Sequence, residues 1–131
     1  MAKRSTARRL AMQALFEADI RQESIIALLE DVLSREVVHP ETRQVAHTLA
    51  TLTWEKKETL DQEISERSKG WSVERLSVVD RNILRLALYE LRFTPETPPA
   101  VVINEAVELA KRFSTDESPK FINGILGAAV A

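Results

Sequence analysis

Residues 76–91 read LSVVDRNILRLALYEL, and the packing this stretch demands decides the fold of the whole chain. Ser77 stands three residues before Asp80, a spacing at which hydroxyl and carboxylate can reciprocally satisfy the free N–H groups of a first helical turn. Behind that start come Val78, Val79, Ile83, Leu84, Leu86, Ala87, Leu88 and Leu91, which occupy most of the helical circumference instead of one stripe. Such a helix has to be enclosed by other helices, because either side left in water would be a large apolar patch. Asp80, Arg81, Arg85 and Tyr89 form the narrow strip that can reach a surface. At about four and a half turns the segment falls well short of the roughly 20 residues that cross a bilayer. It reads as the central, buried helix of a small soluble bundle.

Composition agrees with that reading. A chain of 131 residues is expected to form one domain and to bury about two-thirds of its unfolded surface. Three Gly and five Pro leave few breakers, so an all-α fold is expected. The absence of Cys removes disulfides, thiolate metal sites and cysteine nucleophiles together, and fits a cytoplasmic protein. The basic N-terminus is not followed by an apolar run, so it does not read as a secretory signal. Net charge is −2, but its distribution is uneven: Lys3, Arg4, Arg8 and Arg9 precede the first acidic residue, Glu17. A near-neutral protein with one basic end can bind a polyanion there and accept a protein partner elsewhere.

Outward from the central stretch, helical spacing marks six further segments. Residues 6–19 place Leu10 and Ala14 on one face, widened by Leu15 and Phe16. Ser24 can cap a helix over 25–37, ended by His39-Pro40 because a residue before proline avoids the α region. A long third helix is expected from 40 to 69, closed by a cationic last turn and Gly70. Ser72 and Glu74 suggest a short turn of helix before the central one. The loop TPETPP, 94–99, precedes a sixth helix that starts at Thr97-Pro98 and runs to Phe113. Pro119 opens the last helix, where Gly124 is explained by close approach of another helix.

Little in the chain supports catalysis. His39 and His47 belong to no HExxH pair, and there is no glycine-rich phosphate loop and no nucleophile elbow. His47 reads as an ordinary boundary histidine, and the carboxylates scatter along helical faces. No cofactor or metal site is expected. Nucleic-acid binding has better support. Cations at a helix start oppose the macrodipole, so Lys3, Arg4, Arg8 and Arg9 make more sense facing an external anion. Phe16 and Phe121 suit stacking on unpaired bases, with Lys120 beside the second, although for either ring taken alone the core is the favoured reading. Asp80, Arg81 and Arg85 fit either an internal salt-bridge network or, with Asn104 and Glu105, a partner-docking surface; residues alone favour the network.

Three ordered segments narrow the field: RRLAMQALFEADI at the N-terminus, the central LSVVDRNILRLALYEL, and VVINEAVELAKRFSTDESPKFINGIL at 101–126. Together they resemble the NusB family of bacterial transcription antitermination factors over essentially the whole chain. The resemblance implies a compact all-α fold of seven helices, as two small helical bundles packed across each other around the central helix. It implies no catalysis, but binding of single-stranded boxA RNA from ribosomal RNA leaders together with a NusE-like small-subunit ribosomal protein. The pair would then join other Nus factors and RNA polymerase and support ribosomal RNA synthesis. Position by position, the family's basic arm corresponds to Lys3, Arg4, Arg8 and Arg9, with residues 1–6 flexible. Its stacking aromatic corresponds to Phe16, and its second RNA-contacting segment to Glu117, Ser118, Lys120 and Phe121. Asp80, Arg81, Arg85, Asn104 and Glu105 match the partner region.

Two departures stand out. The arm is interrupted by Ser5, Thr6 and Ala7, which implies weaker RNA affinity, and residues 127–131 are apolar where a basic tail would add a phosphate contact. The alternatives are a free RNA-binding module related to the N-terminal domain of ribosomal RNA cytosine methyltransferases, and a scaffold or homodimer whose basic arm meets its own acidic surface. No membrane contact is expected.

Overall fold

The computed structural model describes residues 4–130. All regular structure among them is helical, and the chain divides into two compact units, Met1–Glu55 and Lys56–Ala131.

The first unit holds α1 (Arg4–Arg21), α2 (Ile25–Leu33) and α3 (Pro40–Glu55), packed pairwise. Ala7, Ala11, Ala14 and Ala18 recur every three or four residues on α1 and are fully buried, so short side chains let the helices approach closely. Leu10 and Leu15 fill the remaining core beside Leu29, Leu33 and Leu49. Helix α1 begins earlier than the spacing suggested. Arg4, Ser5 and Thr6 are helical, so the arm expected over 1–6 does not include them.

Helix α2 is capped as expected, the Ser24 hydroxyl accepting from the Ala27 N–H. It stops at Leu33, short of the expected 37. Ser34 turns its hydroxyl back to the Asp31 carbonyl at 2.7 Å, offering the backbone an alternative to another helical turn. Beyond it Val37 is fully exposed, so no apolar contact draws the helix onward. Arg35 then bridges Glu17 at 2.8 Å and Asp31 at 2.6 Å, joining α1 to α2. His39 ends the connection by accepting the Glu41 N–H on Nδ1, which supplies α3 with a side-chain cap.

The second unit holds α4 (Lys57–Arg67), a single 3-10 turn (Val73–Arg75), α5 (Val78–Phe93), α6 (Pro99–Phe113) and α7 (Ser118–Val130). The helix expected over 40–69 is therefore two helices. The break falls at Lys56, whose φ of −99° and ψ of 11° lie between helical and extended backbone. Glu55-Lys56-Lys57 contains no Gly or Pro, so nothing local announced it. The short turn of helix expected near Ser72 is present as the 3-10 turn, and the division of the long third helix brings the α-helices to seven.

Helix α5 carries the decisive stretch and is enclosed by α4, α6 and α7. Ile83, Leu84, Leu86 and Leu88 are all buried, each contributing about 1.5–3 kcal/mol relative to an exposed position. The Ser77 hydroxyl accepts the Asp80 N–H at 3.1 Å, as a first-turn cap should. The reciprocal half of the capping box yields to tertiary bonding, because the Asp80 carboxylate is taken by hydroxyls from the α6–α7 connection. Gly124 on α7 also departs from expectation. It is exposed, and a Cβ there would meet nothing within 4 Å, so no helix approaches closely at that point. No helix among the described residues is long and apolar enough to cross a membrane.

Candidate nucleic-acid interface

The second unit carries an open groove of about 870 Å³, and its shape starts with four residues of backbone. After α4, Lys69 and Gly70 both adopt left-handed φ values, +50° and +93°. The second is natural for glycine, whereas the first strains a residue with a Cβ. Ser68 stabilises the reversal by donating its hydroxyl to the Trp71 carbonyl at 2.5 Å, while the Trp71 N–H returns to the Ser68 carbonyl at 3.3 Å. The turn projects Trp71 outward with 55% of its surface exposed. Arg75, one 3-10 turn later, holds its guanidinium 5.9 Å from the centre of the Trp71 ring, within cation–π range.

Across the groove α7 presents Lys120 and Phe121, with Glu117 at its lip and Gly124 lining it. Lys69 and Arg67 complete the basic part of the lining. The missing side chain at Gly124 keeps the groove open, which gives that residue a role other than helix packing. A smaller cavity of about 310 Å³ shares Trp71 and Phe121 with the groove and reaches inward to Ser77, Asp80 and Ser118.

Beneath that cavity lies a buried polar cluster. Ser114 donates its hydroxyl to Asp80 Oδ1 at 2.6 Å and Ser118 donates to Asp80 Oδ2 at 2.9 Å. The Ser118 oxygen also lies 2.8 Å from the Ser114 hydroxyl and 2.9 Å from that of Thr115. Asp80 is only 8% exposed and Ser118 2%. A carboxylate so buried needs such donors, and here they fasten the first turn of α5 to the start of α7. One turn along α5, Arg85 forks onto Asp61 of α4 with bonds of 2.6 and 2.7 Å and donates to Asn82 at 3.1 Å.

These positions correct several sequence expectations. Asp80 and Arg85 belong to internal networks, so they are not surface groups for a partner; the narrow strip on α5 is mostly inside. Arg81 and Glu105 are half-buried and Asn104 is exposed. Ser118 is sealed beneath its neighbours, so it orders the α7 start instead of offering a hydroxyl to a ligand. Arg8 is 3% exposed, which removes it from the basic face expected on α1. Arg9 pairs with Glu36 at 2.9 Å and reaches Gln13 at 3.4 Å. Arg4 remains exposed, Phe16 is half-buried, and Lys3 lies outside the described residues. Glu117, Lys120 and Phe121 do come together in the groove.

Sequence reasoning passed over Trp71 and Lys69. The signal was present: an aromatic directly behind the Lys-Gly that ends α4 sits in a turn, where a bulky apolar side chain has no core to enter. Among the described residues no cluster of His, Asp and Glu is suited to a metal ion.

The sequence profile of the NusB family matches residues 5–131, across both units. The transcription antitermination protein NusB of Streptomyces avermitilis is 45% identical over 130 residues, covering 97% of this chain and 90% of that protein. A crystal structure of T. maritima NusB superposes with a TM-score of 0.91 at 40% identity, covering 98% of this chain and 91% of that one. The antitermination factors NusB and NusE in complex with dsRNA supply a second neighbour, with a TM-score of 0.88, 30% identity and coverage of 95% and 93%. Sequence and fold agree: the chain belongs to the NusB family.

Proposed function

We propose that this protein is a transcription antitermination factor that binds RNA together with a NusE-like partner, and that it is no enzyme. One observation carries the RNA assignment: Lys120, Phe121, Lys69 and Trp71 line a single open groove, placing cations beside exposed ring surface. Cations meet phosphates whatever the sequence, and ring faces take bases that are not paired. Family membership and the neighbouring NusB–NusE–dsRNA complex support the same reading.

At finer detail, the RNA is the unpaired boxA element of ribosomal RNA leaders, and the partner is the small-subunit ribosomal protein that acts as NusE. The heterodimer acts with the other Nus factors on RNA polymerase in the cytoplasm and sustains ribosomal RNA synthesis. In the second unit Lys120 and Lys69 contact phosphates while Phe121 stacks on a base. In the first unit Arg4 contributes a phosphate contact and Phe16 a ring edge. Arg9 joins only by giving up Glu36. The partner meets the outer face of α6 at Asn104 and Glu105, with Arg81 of α5. Asp80 and Ser118 act indirectly, by fixing the α7 start on which Lys120 and Phe121 stand.

Fluorescence anisotropy of a labelled boxA strand tests this reading, with a scrambled strand and a duplex as controls. It is run at two salt concentrations, with and without the NusE-like protein. Binding that prefers the boxA strand, tightens with partner and weakens with salt is expected. Equal binding to all three RNAs would overturn the base-reading role, and no binding would overturn the RNA assignment. Sedimentation of the free chain shows whether self-association competes with RNA.

A further inference from the structure

We infer that Trp71 is a second nucleobase platform, so that the groove of the second unit takes two unpaired bases, one on Phe121 and one on Trp71. This inference rests on the RNA reading above and extends it to a residue outside the segment that suggested it.

Three independent features of Trp71 point to a ligand. Its exposure is unusual for the largest apolar side chain, which is ordinarily mostly buried; a Trp kept 55% open has no core role to explain it. Its presentation is costly. Lys69 accepts a left-handed φ of +50° in the turn that sets the ring outward, strain of a kind that persists where surrounding structure over-determines it. Finally, Trp71 borders both cavities and shares both with Phe121, so its ring surface faces the space that Phe121 also faces.

The charge around the ring selects the class of ligand. Arg67, Lys69 and Lys120 line the groove against Asp116 and Glu117, three cations to two carboxylates, and Arg75 lies over the indole. An apolar peptide would have no use for those cations, whereas an RNA strand supplies a phosphate beside every base. The Arg75 guanidinium polarises the indole and can follow the strand to its next phosphate. Bases in a duplex are already stacked on their neighbours, so the platform selects single strands.

The test uses the full chain and a short unpaired oligoribonucleotide. Trp54 is the other indole, half-buried on α3, and a Trp54→Phe background leaves Trp71 as the sole tryptophan reporter. Stacking is expected to quench Trp71 emission on titration with the single strand and to leave it unchanged with duplex. Trp71→Ala should weaken binding about 5- to 150-fold, while Trp71→Phe, which keeps a ring face, should stay within about threefold of the parent. The Phe variant and the quenching readout keep the test decisive if the Ala variant folds poorly. RNA binding seen by anisotropy without quenching, or with both variants near the parent, overturns the Trp71 platform and leaves the proposed function standing. Equal quenching by duplex overturns its preference for unpaired bases. Absence of RNA binding by the parent overturns both readings.

Discussion

Replacing Asp80 by Ala removes the acceptor for two hydroxyls, that of buried Ser118 and that of half-buried Ser114. The bonds lost, from Ser114 at 2.6 Å and Ser118 at 2.9 Å, both end on a charged group, and such bonds are worth about 1.5–3 kcal/mol each. Full loss of both would overstate the cost. Ser114 and Thr115 both lie within 2.9 Å of the Ser118 hydroxyl and can re-pair with it after the carboxylate is gone, and removing a buried charge recovers desolvation energy. Losing a carboxylate from the first turn of α5 adds about 0.3–1 kcal/mol through the helix dipole. The net expectation is about 2–3 kcal/mol. In urea melts that is a midpoint lowered by about 1–2 M with the slope unchanged. Ser118→Ala alone should cost about 1.5–3 kcal/mol, and the double variant should cost less than the sum, because both changes break the same bond. A loss below about 0.5 kcal/mol for Asp80→Ala, or strict additivity with Ser118→Ala, would refute the argument that this cluster ties α5 to α7.

Arg85→Lys keeps the charge but not the fork onto Asp61, and is expected to cost about 2–4 kcal/mol in thermal or urea melts, since a compact ammonium cannot make both bonds. Gly124 in the groove and Gly70 in the turn beside it should respond with opposite sign. Gly124→Ala raises stability by up to about 1 kcal/mol, because the site is helical and has room for a Cβ, whereas Gly70→Ala lowers it by about 1–2 kcal/mol through the left-handed φ. Glu63 is held below the usual carboxylate range by the Arg92 guanidinium and then by Arg67. Its stabilising effect is therefore fully present above its unfolded pKa of about 4.3 and fades as pH falls through the lower folded value. Glu63→Gln should cost under about 1 kcal/mol at pH 6 and less at each step as pH is lowered below the unfolded value, read from melts across that range.

The parts of this molecule legible in the sequence are those where local chemistry and tertiary packing agree. Helix α5 was readable because its apolar residues run around the helix and Ser77 marks its start. Ser24 and the 94–99 loop were readable for the same kind of reason, although the helix after the loop starts at Pro99 instead of the expected Thr97-Pro98. The division at Lys56 was not, since Glu55-Lys56-Lys57 is compatible with continuous helix, and the boundary between the two compact units falls there. The site divides similarly. Lys120 and Phe121, which the resemblance assigns to RNA, both line the groove. Arg8, Ser118, Asp80 and Arg85 are polar residues that a sequence presents as surface chemistry, and their burial depends on partners up to 38 positions away. Trp71 was overlooked because sequence logic sends tryptophan to the core, and the left-handed turn at Lys69-Gly70 that prevents this is a backbone fact.

The central claim is that the groove between the 68–71 turn and α7 binds unpaired RNA. Amide and indole NMR shifts on titrating the full chain with a single-stranded boxA oligonucleotide test it most directly. The account predicts the largest shifts at Lys69, Trp71, Lys120, Phe121 and Gly124, diminishing as salt is raised. Shifts confined to other surfaces, with those five residues unmoved at saturation, would contradict it.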